Sequence, residues 1–232
     1  MRTLLIIGAG GLGSEVVDTV RETKRDTYAD VAFVDDFIKA GTVLHGVEVR
    51  GTPAILRDMT PGRVDLCVAV GDPVARRKLI EDIASYGHYV IDVIDPTAVI
   101  RPSAVIGPGA IVGARAVVAT NASVGAHVVI NIGAVVGHDV SIGSYSVIGA
   151  AAVLNGGSSI GEGVLIGAGA AVLPGRRVGS WSKVAMSAAV FTEVEEGITV
   201  LGNPARAVKM LRRDGLAQRM TERLSQGDVT GR

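Results

Sequence analysis

Along a long central part of the chain, apolar side chains recur at every sixth position. From Ala98 to Glu193 the residues fall into sixteen consecutive hexads without an insertion, and the third residue of each is aliphatic, from Ile100, Ile106 and Val112 to Val178, Val184 and Val190. With 48% hydrophobic residues in the chain, sixteen such matches arise by chance with a probability of about one in 10⁵, so the period is specified. The first residue of a hexad is usually small, as at Ala98, Ala104, Ala110, Ala116, Ala122 and Ala134, and the fourth is often glycine, as at Gly107, Gly125, Gly143 and Gly161. This pattern fits a short strand that turns a corner every six residues, with the aliphatic side chain pointing into a narrow core and glycine relieving the corner. Three hexads then close one triangular coil, so that residue i stacks on residue i + 18.

The first part of the chain follows other periods. "LLIIGAGGLG" is an apolar run ending in Gly8-x-Gly10-x-x-Gly13; "SEVVDTVRETK" has helical spacing at Val16, Val17 and Val20; "VAFVDD" is a second strand ending in acids. "DLCVAVGDPVARRKLIEDIAS" repeats the plan through a Gly71-Asp72 turn, and "HYVIDVIDP" provides a last strand. The predicted architecture is therefore an α/β, Rossmann-like unit over residues 1–95, an all-β parallel solenoid over 96–200 and a C-terminal extension over 201–232. Within the extension, Asn203 as N-cap and Pro204 at the first helical position predict a basic helix from Ala205 to about Ser225.

Composition narrows the function classes. The chain of 232 residues carries 23 Lys and Arg against 23 Asp and Glu, so no charge excess favours nucleic acid or an anionic membrane surface. Between Ala116 and Gly137 there is no Asp, Glu, Lys or Arg, which meets the ~20-residue length of a membrane span. Repeated glycines, Asn121, Ser123, His127, Asn131 and the six-residue period exclude that reading. A single cysteine, Cys67, forms no internal disulfide and fits a reducing, cytoplasmic setting.

The glycine fingerprint sits in fewer than 100 residues, enough for one nucleotide rather than a dinucleotide. The amides of Gly10 and Gly11 at a helix N-terminus are suited to a phosphate, and Asp35 and Asp36 lie where an acid accepts hydrogen bonds from ribose or base. In the third coil "NIGAVVGHDVSIG" places His138 beside Asp139 among small and apolar residues.

An α/β unit fused to a hexapeptide solenoid, with "INIGAVVGHD" in the third coil and "VLGNPAR" after the last, resembles the NeuD/PglD family of sugar O- and N-acetyltransferases. The resemblance implies a left-handed parallel β-helix, a homotrimer, acetyl-CoA as co-substrate without a metal, and a nucleotide-linked sugar as acceptor. It places the catalytic base on His138, the adjacent acid on Asp139 and a sugar-contacting asparagine on Asn131. The substrate loop falls on Gly10, Gly11 and Leu12, with the acids Asp35 and Asp36; the Gly71-Asp72 turn is assigned to the same substrate. Many relatives carry histidine in place of Leu12 and threonine in place of Ile132, and some carry a second histidine in place of Val147.

A base of ordinary histidine pKa suits acetyl transfer, because the nucleophile loses its proton as it attacks the thioester. A carboxylate beside it holds the tautomer and stabilises the imidazolium, and Asn121, one coil before Asp139, is placed to join the network. For the cofactor, the 18-residue step aligns Gly149, Gly167 and Ala185, and beside them Ala150, Ala168 and Met186. This smooth column, together with Val147 and Gly156, is expected to hold the pantetheine arm with its thioester toward His138 and its phosphates toward Arg176, Arg177, Lys183 and Arg206. The predicted reaction is acetylation of the amino group of a nucleotide-linked amino sugar, the alternative being O-acetylation of a sialic acid-type sugar. A γ-type carbonic anhydrase needs three histidines on zinc, whereas these coils offer His127 and His138; a purely structural solenoid is the remaining class.

Overall fold

A computed structural model describes residues 2–23 and 27–208. β1 (Arg2–Ile7), β2 (Tyr28–Val34), β4 (Val47–Val49) and β5 (Val64–Val68) form a parallel sheet, and β3 (Val43–Leu44) pairs antiparallel with β4 at the edge, in the order β3-β4-β2-β1-β5. The β3-β4 hairpin has no counterpart in the sequence reading; its strands are too short to show a period. α1 (Gly11–Thr23) and α2 (Pro73–Ser85) follow β1 and β5. Asp72 caps α2 by accepting from the amides of Val74 and Ala75.

Sixteen two-residue strands, from Val99–Ile100 to Ala189–Val190, then follow at intervals of six. Each pairs in parallel with a strand eighteen residues away, as Val117 with Val135, Ser123 with Ser141 and Val129 with Val147. The result is a parallel β-helix with three flat faces. The third hexad residues fill its axis: Val112, Ile130, Ile148, Leu154 and Ile166 are each 1% exposed or less. Fully burying one such side chain contributes about 1.5–3 kcal/mol. Ile100 and Ile106, at the open first coil, are half-buried.

Two elements differ from the expectation. "HYVIDVIDP" divides between an isolated bridge from Val90 to Leu66 and a first solenoid strand, β6 (Val93–Ile94), which pairs with Ile111–Val112. Arg206–Val208, expected in a helix, instead forms a strand antiparallel to Thr199–Leu201, because Gly202 turns the chain back and lets it cover that last rung. The remainder of the expected helix lies outside the described residues. Among those described, no helix is long and apolar enough to cross a membrane.

Residues at the second hexad position point outward, and they give the three faces different characters. One face presents Val99, Val117, Val135, Val153, Ala171 and Ala189, uncovered in the single chain. The next presents Val105, Ser123, Ser141, Ser159 and Arg177, all exposed. The third presents Ile111, Val129 and Val147, no more than 5% exposed because the α/β unit packs on them through Val16, Val17 and Val20 of α1 and neighbouring side chains.

Corner glycines are dictated by the stacking. A Cβ on Gly149 would lie 2.6 Å from the amide nitrogen of Ala168, and one on Gly167 would collide with that of Met186. Gly167→Ala is therefore expected to destabilise the protein by about 1–3 kcal/mol, read as a lowered melting temperature. Gly10→Ala, whose added carbon meets nothing within 4 Å, should melt with the unsubstituted protein.

Candidate active site

His138 and Asp139 lie at the corner between the apolar face and the serine face, after the strand Val135–Val136. Successive side chains of a straight strand diverge, but Asp139 has φ 58°, and this left-handed turn brings its carboxylate back onto its neighbour. Nδ1 of His138 and Oδ2 of Asp139 are 2.8 Å apart. Asn121, one coil earlier and also left-handed with φ 58°, donates its side-chain amide to the other carboxylate oxygen at 3.2 Å. The hydrogen bond from His138, and then that from Asn121, hold the Asp139 carboxyl below its ordinary pKa. An ionised carboxylate only accepts, so Nδ1 carries the hydrogen, and in the neutral imidazole Nε2 keeps its lone pair. Nε2 lies against Gly156, the residue eighteen positions on, where any Cβ would collide with the imidazole.

Asn131 lies at the other edge of the apolar face, at the corner that precedes Val135–Val136. A cavity between α1 and the first coils is lined by Asn131, Ile132, Leu12, Glu15, Asp18 and Glu22 among others. Partial burial raises the Glu15 pKa. A second cavity opens at the C-terminal ends of β1 and β2, bounded by Gly8, Asp36, Phe37, Lys78 and Asp82, which is where open parallel sheets receive ligands.

The loop between these cavities is held by Asp35. Its carboxylate accepts from the amides of Ala9 and Phe37 at 2.8 Å each, so it shapes the glycine loop, while Asp36 faces the cavity. Gly8, with φ 103°, and Gly13 have no room for a Cβ, whereas Gly10 and Gly11 have nothing within 4 Å of one. The outer glycines serve packing and the inner ones leave open space over the helix N-terminus. Asp72 is committed to its cap, with Lys183 4.0 Å away, and neither Gly71 nor Asp72 lines the β1-β2 cavity.

The expected cofactor column divides. Ala168 and Met186 are exposed, and Ala150 joins Ala114, Arg115, Ile132, Gly133 and Ala151 in a shallow apolar groove on the Asn131 corner. Gly149, Gly167 and Ala185 are half-buried on that corner. Val147 is 4% exposed beneath the α/β unit and offers no surface, and Gly156 lies on the His138 corner instead. The column and His138 are thus on different edges of one chain, because hexads 18 residues apart share a corner and those six apart do not. Arg176 and Arg177 fall near the serine face, Lys183 on the α/β side and Arg206 in the last strand, so these cations do not converge.

Sequence reasoning overlooked Phe37, Lys78, Asp82 and Arg76. Phe37 is 97% exposed in a chain with three phenylalanines, an aromatic spent on solvent at a cavity mouth. Lys78 and Asp82 are one helical turn apart on α2, a spacing shared by many solvated faces. Among the described residues no three His, Cys, Asp or Glu side chains are grouped as metal ligands would be.

A β-helix bearing an oriented, accessible imidazole, joined to an α/β unit with an open glycine loop, defines a hexapeptide acyltransferase. The family model of the PglD N-terminal domain matches residues 3–83. The acetyltransferase domain of PglB from Neisseria gonorrhoeae, solved with acetyl coenzyme A, is 35% identical with a TM-score of 0.83, over 89% of this chain and 99% of that one. The perosamine N-acetyltransferase of Caulobacter crescentus, solved as a mutant in complex with CoA and GDP-perosamine, is 31% identical with a TM-score of 0.82, over 90% and 98%. WeeI from Acinetobacter baumannii is 29% identical with a TM-score of 0.83, over 90% and 100%. Among curated protein sequences, none matches the chain. The chain belongs to the NeuD/PglD-type family of sugar acetyltransferases.

Because Gly156 abuts the imidazole, Gly156→Ala should displace His138 and lower turnover by about 10²-fold, the scale of an ångström-sized misplacement. The check is a steady-state assay beside a melting curve. Unchanged turnover would detach the imidazole's position from activity.

Proposed function

We propose that the protein transfers the acetyl group of acetyl-CoA to the amino group of a nucleotide-linked amino sugar, with Nε2 of His138 as general base. The observation that carries this reading is the Asn121–Asp139–His138 chain, which engages Nδ1 and leaves Nε2 of an exposed imidazole outside the chain. As the neutral amine attacks the thioester carbonyl, Nε2 accepts the proton it sheds, and the thiolate leaves as CoA. The imidazolium formed is stabilised by Asp139, already ionised.

The nucleotide is assigned to the cavity at the ends of β1 and β2, where Phe37 offers a ring face to a base, Asp36 an acceptor and Lys78 a donor. The phosphates then lie over the amides of Gly10 and Gly11, and the sugar reaches the cavity of Leu12 and Asn131. Glu15, Asp18 and Glu22 line the cavity of Leu12 and Asn131. Their negative charge opposes the carboxylate of a sialic acid, which supports N- over O-acetylation.

The assembly is assigned as a homotrimer closed through the apolar face. Asn131 and the small-residue groove flank one edge of that face and His138 the other, so a second copy packed against it supplies the partner edge to each half site. Extended pantetheine on the Ala150 and Ala168 column of one chain then meets the imidazole of the next.

Coenzyme A release measured over a panel of nucleotide-linked amino sugars and sialic acids tests the reading. The amino sugars should turn over, and His138→Ala should reduce that turnover by about 10²–10⁴-fold with acetyl-CoA affinity intact. Preference for a sialic acid, or wild-type turnover by the variant, would overturn it. Val135→Lys, in the middle of the apolar face, should give an inactive monomer by light scattering, whereas an active monomer would remove the trimer from the mechanism.

A further inference from the structure

Arg76 lies on α2 and is 0% exposed, the largest side chain among those fully buried. Its guanidinium donates to three backbone carbonyls: from Nε to His127 at 2.7 Å, from Nη2 to Gly109 at 3.3 Å, and from Nη1 to Val68. Val68 ends β5, three residues before the turn that starts α2. Gly109 and His127 occupy one corner in successive coils, 18 residues apart, and His127 also donates its amide to Pro108 at 2.7 Å. One side chain therefore ties the ligand-facing edge of the α/β sheet to two coils of the solenoid at once.

Neighbouring contacts make the joint directional. Arg77 lies over the rings of Tyr145 and Trp181, at 5.9 and 5.3 Å, and its guanidinium reaches Glu162 at 3.3 Å. Tyr145 stacks on His127 with ring centres 5.6 Å apart. The apolar contacts of α1 with Ile111, Val129 and Val147 hold the two bodies together but are tolerant of sliding. Hydrogen bonds fixed by angle are not. A buried guanidinium is also costly to leave unsatisfied, so displacing the joint breaks several bonds together. Burial pushes its pKa down, to about 10, and it remains charged at neutral pH.

We infer that Arg76 is a positioning residue, setting the disposition of the nucleotide-holding unit on the solenoid and hence how the acceptor amine is presented to the base. The inference rests on the proposed function for its kinetic readout only. The nucleotide cavity moves with the α/β unit, His138 and the small-residue groove move with the solenoid, and the sugar cavity is shared by both bodies. A small rotation between them leaves the nucleotide cavity whole and misaligns the reacting atoms.

The test replaces Arg76 with Met, which keeps the unbranched apolar stem and removes the donors, and with Lys, which restores a cation. Spin labels at Asp58→Cys and Ser123→Cys, both exposed positions, report the distance between the two bodies; Cys67 is buried, and dilution with unlabelled chain isolates one labelled subunit. Arg76→Met should broaden or shift a distance that is sharp in the parent, and Arg76→Lys should partly restore it. An unchanged distribution in Arg76→Met overturns the inference whatever the substrate is. In the kinetic arm, Arg76→Met should lower kcat by about 10- to 100-fold while the Kd for the nucleoside diphosphate of the best panel substrate stays within about twofold. Loss of nucleotide affinity equal to the loss of kcat would make Arg76 a structural residue of the α/β unit and overturn the positioning role. If the parent enzyme turns over no member of the panel, the proposed function fails and the distance measurement alone decides for or against Arg76. If Arg76→Met does not fold, Arg76→Lys decides alone: a distance broader than the parent's with a lowered kcat supports the inference, and a parent-like distance and kcat overturn it.

Discussion

Every coil of the solenoid must close after eighteen residues, in register with the one before, and that closure governs the rest of the molecule. Each backbone amide along the rungs seeks a carbonyl in the next coil, as Val117 donates to Ala134 and Val129 to Ser146, so a coil one residue longer would leave part of its ladder unpaired. Corners must also be tight, which is why Asp139, Asn121 and other corner residues take left-handed backbone angles. The pairing of His138 with Asp139 is a product of this geometry. Asp139 turns onto His138 because the chain has to turn there, Asn121 is overhead because the coil before it turns at the same place, and Gly156 lies below because the next coil leaves no room for more.

The periodic half was legible in the sequence because one rule repeats sixteen times. The six-residue spacing, the 18-residue stacking and the meeting of Asn121 with Asp139 followed from counting. What surrounds each column did not, since the count says nothing of which face another body covers. Val147 occupies the same kind of position as Val135, yet α1 and its neighbours bury the first and leave the second open. Arg206–Val208 had good helix-start chemistry before it, but the exposed ladder of Thr199–Leu201 recruits it as a strand. Arg76 and Arg77 are adjacent cations in the sequence, and only tertiary structure distinguishes the one inside from the one outside.

Three faces built from one repeat acquire different uses through one position per hexad. Serine at Ser123, Ser141 and Ser159 keeps one face compatible with water. Valine and alanine leave the second apolar, and Ile111, Val129 and Leu165 give the third the relief against which the α/β unit packs. The interior, meanwhile, is filled by the same few aliphatic residues throughout. Stability and function are thus written in separate columns of the sequence, and substitutions in one disturb the other mainly where a corner belongs to both, as at Gly156.

The eighteen-residue closure also limits how such a chain can change length over evolutionary time. Loss or gain of six residues upstream of His138 would keep every aliphatic residue pointing inward and every rung paired. It would also carry the imidazole around the prism to the next corner, away from its edge of the apolar face. Such a protein would fold with its imidazole on another edge. A change of eighteen would preserve the corner but alter the height of the imidazole above the α/β unit, which the β6 rung fixes at one end. Insertions before His138 that keep both its corner and its height are thereby confined to loops that leave the prism altogether, whereas beyond the coil of Gly156 the solenoid is free to gain or lose whole turns.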